Sequence, residues 1–202
     1  MNSDSLSKKE KFFDLWAPNY DCLLTTVFYQ ANHKRLLEYI ELPNQPKVLD
    51  IGCGTGRLLN RLAIQFPTLQ GTGLDLSTKM IYQAQQCNRH GTRLTYRQGN
   101  VEDLPFAEEQ FDAVFSTISF LHYLDPQQVM LEVKRVLRPG GRFYLVDTAA
   151  REEKGVGYMP LFSSGLRFYS YQQREQLGSA AGLECLGHHY LLGSVLLTIF
   201  AA

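Results

Sequence analysis

Asp50, Gly52, Gly54 and Gly56 stand at alternate positions in the run Val48-Leu49-Asp50-Ile51-Gly52-Cys53-Gly54-Thr55-Gly56. Val48, Leu49 and Ile51 read as a buried strand, and Arg57, Leu58, Leu59, Leu62, Ala63 and Phe66 then repeat at helical spacing. Glycines between a strand and a helix let the backbone turn sharply and approach a ligand with no Cβ in the way. A strand, a glycine turn and a helix N-terminus together make a nucleotide-type site. Asp75 ends the next apolar run, Gly73-Leu74-Asp75-Leu76, where an acid takes ribose hydroxyls. The glycine spacing is G-x-G-x-G, whereas sites that cradle a pyrophosphate use G-x-G-x-x-G. Asp50 would also repel that anion, while a ligand with a cationic amino group would tolerate it. Both points disfavour an NAD-dependent oxidoreductase.

Acid–base groups are fewer. Histidine is the side chain whose ordinary pKa lies near neutrality, and His122 follows an apolar run, Phe111 to Thr117, that reads as a strand. Tyr123 is its neighbour, and Asp147 ends a later strand. The four cysteines, Cys22, Cys53, Cys87 and Cys185, form no C-x-x-C pair and read as buried thiols in a reducing compartment. His188 and His189 are expected on alternate faces of a strand, without carboxylate or cysteine company, so no metal is expected.

The glycine run resembles the first motif, E/D-x-G-x-G-x-G, of the class I S-adenosylmethionine-dependent methyltransferases. Further motifs follow in that family's order. Asn100-Val101-Glu102-Asp103-Leu104-Pro105-Phe106 looks like the loop after its third strand, and Phe111-Asp112-Ala113-Val114 like its fourth strand. Leu121-His122-Tyr123-Leu124-Asp125-Pro126 looks like the turn that follows. Arg135-Val136-Leu137-Arg138-Pro139-Gly140-Gly141 looks like the entry to its fifth strand. Phe12-Phe13-Asp14-Leu15-Trp16-Ala17-Pro18-Asn19-Tyr20-Asp21 is similar to the F-D-x-x-A-x-x-Y-D entry of quinone-type methyltransferases. The chain is thus similar to the small-molecule, type 11 branch of the family.

The resemblance implies S-adenosylmethionine as cofactor and S-adenosylhomocysteine as product. Gly52, Cys53, Gly54 and Gly56 would pass beside the methionine part, with its amino group held by backbone carbonyls and by Asp50 through water. Asp75 would accept both ribose hydroxyls, as a carboxylate geometrically can. Leu76 and Met80 would pack on the adenine, and Asn100 and Val101 would meet its edge. Thr117 and Ile118 would floor the sulfur, and Tyr20 would contact the cofactor from a lid. Asp50 as a backbone-orienting acid and Met80 as plain core are the alternatives. His122 and Tyr123 are the candidate catalytic groups, with packing beside the methionine tail the alternative for His122. The segment from Phe12 to Asp21 has three readings: a lid, a packing helix, and a membrane-surface patch flanked by Lys8, Lys9 and Lys11.

Positioning these residues requires alternating elements. Strands are expected at Lys47–Ile51, Gly71–Asp75, Arg93–Gln98, Phe111–Thr117 and Arg142–Asp147. Helices are expected at Phe12–Trp16, Val27–Ile40, Gly56–Phe66, Thr78–Asn88 and Pro126–Leu137. Thr148 to Phe168 reads as a loop with short helical pieces. Tyr171 to Ala181 reads as a helix, and Leu183–Leu191 with Ser194–Phe200 as a hairpin. The fold expected is α/β and Rossmann-like: a seven-stranded, mostly parallel sheet, one antiparallel strand from the C-terminal hairpin, and helices on both faces. It is one domain with a helical cap at 1–46, a cofactor core at 47–147 and an acceptor-covering segment at 148–202.

Lys plus Arg equals Asp plus Glu, at 20 each, with no basic stripe, which argues against a nucleic-acid partner. The longest apolar runs are too short for a membrane span. The polar stretch Met1 to Lys11 lacks a signal-type apolar core, so a cytoplasmic protein is expected. Aromatic residues between Tyr158 and Tyr171 favour a small apolar or aromatic methyl acceptor. A protein that binds the cofactor without catalysis is the alternative.

Overall fold

The computed structural model describes residues 23–150, 157–159 and 165–202, together with Ser7, Glu10, Lys11 and Asp14. The elements, in chain order, are α1 (Leu23–Leu36), β1 (Lys47–Ile51), α2 (Arg57–Gln65), β2 (Gln70–Asp75), α3 (Thr78–Cys87), β3 (Leu94–Gln98) and β4 (Phe111–Thr117). They continue with α4 (Pro126–Val136), β5 (Leu137–Thr148), β6 (Gly157–Met159), β7 (Leu166–Phe168), α5 (Tyr171–Ala180), β8 (Glu184–Leu192) and β9 (Val195–Ala201).

Seven strands form one sheet in the order β3-β2-β1-β4-β5-β9-β8. The first five pair in parallel, and β9 pairs antiparallel with both β5 and β8. The single reversed strand is the one expected of the hairpin. β1 is covered on both faces, which is why four of its five residues are buried. Val48, Leu59, Leu62, Phe115, Tyr144 and Leu197 pack on one face, and Leu49, Ile51, Val114, Val133, Phe143 and Phe200 on the other. The chain leaves β1 toward β2 and β3, then returns to the other side at β4. That reversal opens a crevice at the carboxyl ends of β1 and β4, where ligands of such sheets bind.

Local chemistry starts and stops the helices where the sequence indicates. The Ser77 hydroxyl accepts the Met80 N–H to cap α3, and Asp125 accepts the Gln128 N–H ahead of Pro126 to cap α4. Ser170 and Gln173 form a reciprocal capping box at α5.

Two expectations need correction. β5 starts at Leu137, not Arg142, because Leu137 pairs with Phe111 before a bulge across Arg138 to Gly141. Part of Thr148 to Phe168 is not a loop: β6 and β7 form a two-stranded antiparallel ribbon, Tyr158 opposite Arg167. The expected Phe12–Trp16 helix lies outside the described residues except for Asp14, which is helical.

Candidate functional site

β1 and the start of α2 create the site. Gly52, Gly54 and Gly56 have φ of 67°, 52° and 76°, all in the left-handed region. At Gly52 a Cβ would lie 2.6 Å from the Ser119 Cβ and 2.9 Å from the Tyr123 hydroxyl. Glycine is therefore required there both by conformation and by space. Gly52→Ala is expected to cost about 1–2 kcal/mol in backbone strain and about 1–3 kcal/mol in overpacking. A thermal melt should fall by about 2–4 °C for each kcal/mol in a chain of this size. An unchanged melt would show that the Ser119 turn yields freely.

Asp75 ties the turn to the next crossover. Its Oδ2 accepts the Gly54 N–H at 2.8 Å, and its Oδ1 accepts the Ser77 N–H at 2.9 Å. Burial pushes the Asp75 carboxyl up, the Ser77 and Gly54 N–H groups pull it down, and Asp14 pushes it up again. The Asp14 carboxylate accepts from the Ser77 hydroxyl and the Lys79 N–H, and Glu10 accepts from Gln98 at 3.0 Å. Residues of the N-terminal segment therefore sit at the carboxyl ends of β2 and β3. Tyr20, the expected lid contact, lies outside the described residues.

Asp50 is 1% exposed, and neither carboxylate oxygen has a hydrogen-bond partner. Burial drives its carboxyl well above the usual carboxylate range, with the Asp75 charge adding to it. Among the described residues seven buried side-chain polar atoms lack a partner, and five of them belong to Asp50, His33 and Thr55. Such a concentration marks a place where a polar ligand completes the hydrogen bonding. His33 and Thr55, with Tyr29, Gly52, Cys53, Gly54, Arg57, Leu58 and Thr117, line one open cleft. Burial, then Arg61 and Arg57, lowers His33 to about 3, so its ring is neutral at ordinary pH.

Of the expected cofactor residues, Gly52, Cys53, Gly54 and Thr117 line this cleft. Thr117 lines the cleft beside the glycine turn. Ile118 follows at φ 53°, a rare value for a β-branched residue, with its N–H donating to Val146. Met80 and Val101 are buried, and the Asn100 carbonyl oxygen Oδ1 accepts the Glu102 N–H at 3.1 Å. Leu76 is half-buried, its backbone carbonyl held by Gln98 at 3.1 Å. Cys53 is buried, its sulfur close to Gly73 and the Tyr96 ring beneath the turn. Arg135 donates to the carbonyls of Leu104 and Phe106, which fixes the loop after β3 as a structural plug.

The two acid–base candidates differ in setting. The Tyr123 hydroxyl lies 3.1 Å from the Ile51 carbonyl, 2.9 Å from the Ser119 hydroxyl and 3.4 Å from that of Ser116. Burial pushes its ionisation up, so it holds the end of β1 as a neutral phenol. His122 ends the short turn Phe120–His122 and is half-buried. Asp147, the third candidate, accepts the N–H groups of Leu121 and Thr148 at 2.9 and 2.8 Å.

His33 and Tyr29 did not figure among the sequence-expected site residues. Their signal was the i, i+4 spacing of two polar rings within one helical run, which puts them on one face of α1. The expected isolation of His188 also needs correction. Its Nε2 lies 3.0 Å from the Glu175 carboxylate and 3.6 Å from the Cys185 sulfur. His189 faces the other side, its ring 4.3 Å from that of Tyr39.

Residues 49–145 match the family model described as a methyltransferase domain. The chain is 33% identical over 140 residues to a demethylmenaquinone methyltransferase of Thermotoga maritima, covering 68% of this chain and 60% of that one. It therefore spans about three-fifths of that relative's length. It is 32% identical over 187 residues to a demethylmenaquinone methyltransferase of Lactiplantibacillus plantarum, covering 84% and 77% of the two chains. A chain from a Haloferax volcanii complex that contains the Trm112 methyltransferase activator superposes with a TM-score of 0.83, covering 94% and 97% at 22% identity. That likeness shows the fold, and the alignment with the Lactiplantibacillus plantarum protein, which runs through most of both chains, decides the family: this protein is a member of the methyltransferase family.

Proposed function

We propose that the protein is an S-adenosylmethionine-dependent methyltransferase acting on a small apolar or aromatic acceptor. The observation that carries this reading is Asp50, a buried carboxylate with no partner one residue before the end of β1. An isolated buried carboxylate is costly. An ammonium group beside it would remove that cost, whereas a pyrophosphate would add to it. The glycine cradle fits a ligand pressed close to the backbone, since a Cβ at Gly52 would meet Ser119 and Tyr123.

When bound, S-adenosylmethionine supplies a methyl group already activated on a sulfonium. The residues then have positioning roles. Asp50 and the backbone of Gly52 to Gly54 would hold the amino group, and Asp75 the ribose hydroxyls. His33 and Arg57 line the cleft and would hold the carboxylate tail. Met80, Leu76, Asn100 and Val101 would frame the adenine, with Thr117 and Ile118 beneath the sulfur. Glu10 and Asp14 anchor the N-terminal segment beside Asp75, which supports its reading as a cover that excludes water. His122, in the turn after β4, would face the acceptor.

The named activity of the Thermotoga maritima and Lactiplantibacillus plantarum relatives favours a hydroxylated quinol ring as the acceptor class. The test is methyl transfer from labelled S-adenosylmethionine to demethylmenaquinol, with a sugar and a tRNA as comparison acceptors. Label is expected on the quinol alone. Label on the tRNA would overturn the acceptor class, and cofactor binding without transfer to any small acceptor would favour the non-catalytic alternative.

A further inference from the structure

Glu175, Cys185 and His188 meet at the edge of the sheet, on elements that do not line the glycine-turn cleft. Their juxtaposition depends on a bulge. Cys185 stands opposite Phe200 and Gly187 opposite Ile199, so Leu186 has no partner across the ladder. Gly187, at φ 153°, sits beside that extra residue. In a regular strand, residues three apart face opposite sides. The bulge puts Cys185 and His188 on the same face, that of Phe200 and Thr198.

Helix α5 covers this face. A Cβ on Gly178 would meet the Phe200 ring, and the buried Arg174 guanidinium donates to the Leu196 carbonyl at 2.9 Å and reaches the Thr198 hydroxyl at 3.4 Å. The helix is thereby fixed, and Glu175 on it reaches His188. The Thr198 hydroxyl lies 3.0 Å from His188 Nδ1, which turns Nε2 toward Cys185 and Glu175. The Tyr171 ring, 5.3 Å from the imidazole, closes one side.

One sulfur, one nitrogen and one oxygen lie within 4.8 Å of one another. A tetrahedral ion with Zn–N near 2.0 Å and Zn–S near 2.3 Å holds its nitrogen and sulfur ligands about 3.5 Å apart. The His188–Cys185 separation is 3.6 Å. Thiolate with imidazole suits zinc or cobalt(II) and not magnesium or calcium, which take all-oxygen sets. We propose that Cys185, His188 and Glu175 bind one zinc-class divalent ion, with a water in the fourth place, and so join α5 to β8. On binding, the Cys185 thiol gives up its proton to solvent, and His188 keeps its single proton on Nδ1, donated to Thr198. A second-sphere partner at Nδ1 is what fixes a metal-binding imidazole.

The test uses the full chain and the metal alone. One equivalent of cobalt(II) should produce tetrahedral visible bands and a thiolate-to-cobalt charge-transfer band, which zinc then displaces. Cys185→Ser should remove the charge-transfer band, whereas Cys87→Ser, at the exposed thiol, should leave it. Glu175→Gln, on an exposed helix face, should weaken binding about tenfold or more while the band persists. Zinc should raise the melting temperature of the wild type and not that of Cys185→Ser, because a ion bound only by the folded state stabilises it. No band at one equivalent, a band that survives Cys185→Ser, or unchanged affinity in folded Glu175→Gln would overturn the site and leave His188 and Glu175 as a hydrogen-bonded pair. The Glu175 variant decides the matter even if Cys185→Ser does not fold.

Discussion

Asp75→Ala is expected to weaken S-adenosylmethionine binding by about a hundredfold or more and to lower the melting temperature of the cofactor-free chain. The first effect follows from two hydrogen bonds from ribose hydroxyls to a carboxylate, each contributing roughly 1.5–3 kcal/mol. Together they give roughly 3–6 kcal/mol, and about 1.4 kcal/mol is tenfold in affinity. The second effect follows from the internal partners of the same carboxylate. Gly54 and Ser77 donate their N–H groups to it, and alanine leaves both without an acceptor. Each orphaned donor costs about 1–3 kcal/mol if water does not replace the oxygen. Asp75 thus shapes the glycine turn in addition to the ligand role proposed for it. Asp75→Asn separates the roles, since one amide oxygen still serves one N–H. Calorimetry and melting on both variants check this, and unchanged affinity in a folded Asp75→Ala protein would remove Asp75 from the site.

Arg174→Met is expected to be the most destabilising substitution in the C-terminal layer. Arg174 is 1% exposed and donates to the carbonyls of Leu196 and Asp147. Methionine leaves both buried carbonyls without that donor, each at about 1–3 kcal/mol. At about 2–4 °C per kcal/mol, that is a fall of about 4–24 °C in a thermal melt. The variant also exposes the titration of Asp147. Burial raises the Asp147 carboxyl from 3.8 to about 6, with Arg174 pulling it down. Between those values the folded chain keeps a proton that the unfolded chain has lost. Stability therefore falls as pH rises from about 4 through about 6. Asp147→Asn should flatten this part of the pH–stability curve relative to the wild type. Arg174→Met should carry the window to higher pH, because the opposing cation is gone. The same slope in wild type and Asp147→Asn would assign it to Asp50 and Asp75, whose carboxyls are raised as well.

The sheet was legible in the sequence because its signals are local. The buried run before Gly52, the apolar spacing after Gly56 and the Ser and Asp caps each act within a few residues. Asp75 and Asp50 were legible for the same reason, as strand-end acids beside a glycine turn. What the sequence hides is set by contacts between distant segments. β5 starts early because Leu137 finds Phe111, a pairing no local pattern carries. The β6–β7 ribbon joins segments whose Gly and Ser content reads as loop. His33 joins the cleft lining only because α1 packs beside the glycine turn. Cys185 and His188 share a face only because a bulge intervenes, and Glu175 joins them from a different element.

The measurement closest to the central claim is calorimetric titration of the full chain with S-adenosylmethionine and, separately, with NAD, repeated on Asp50→Asn. The wild type should bind S-adenosylmethionine and bind NAD far more weakly. Asp50→Asn should lose affinity for S-adenosylmethionine, since an amide offers the ligand's amino group no negative charge. Tighter binding of NAD than of S-adenosylmethionine by the wild type, or S-adenosylmethionine affinity that Asp50→Asn leaves unchanged, would contradict the account.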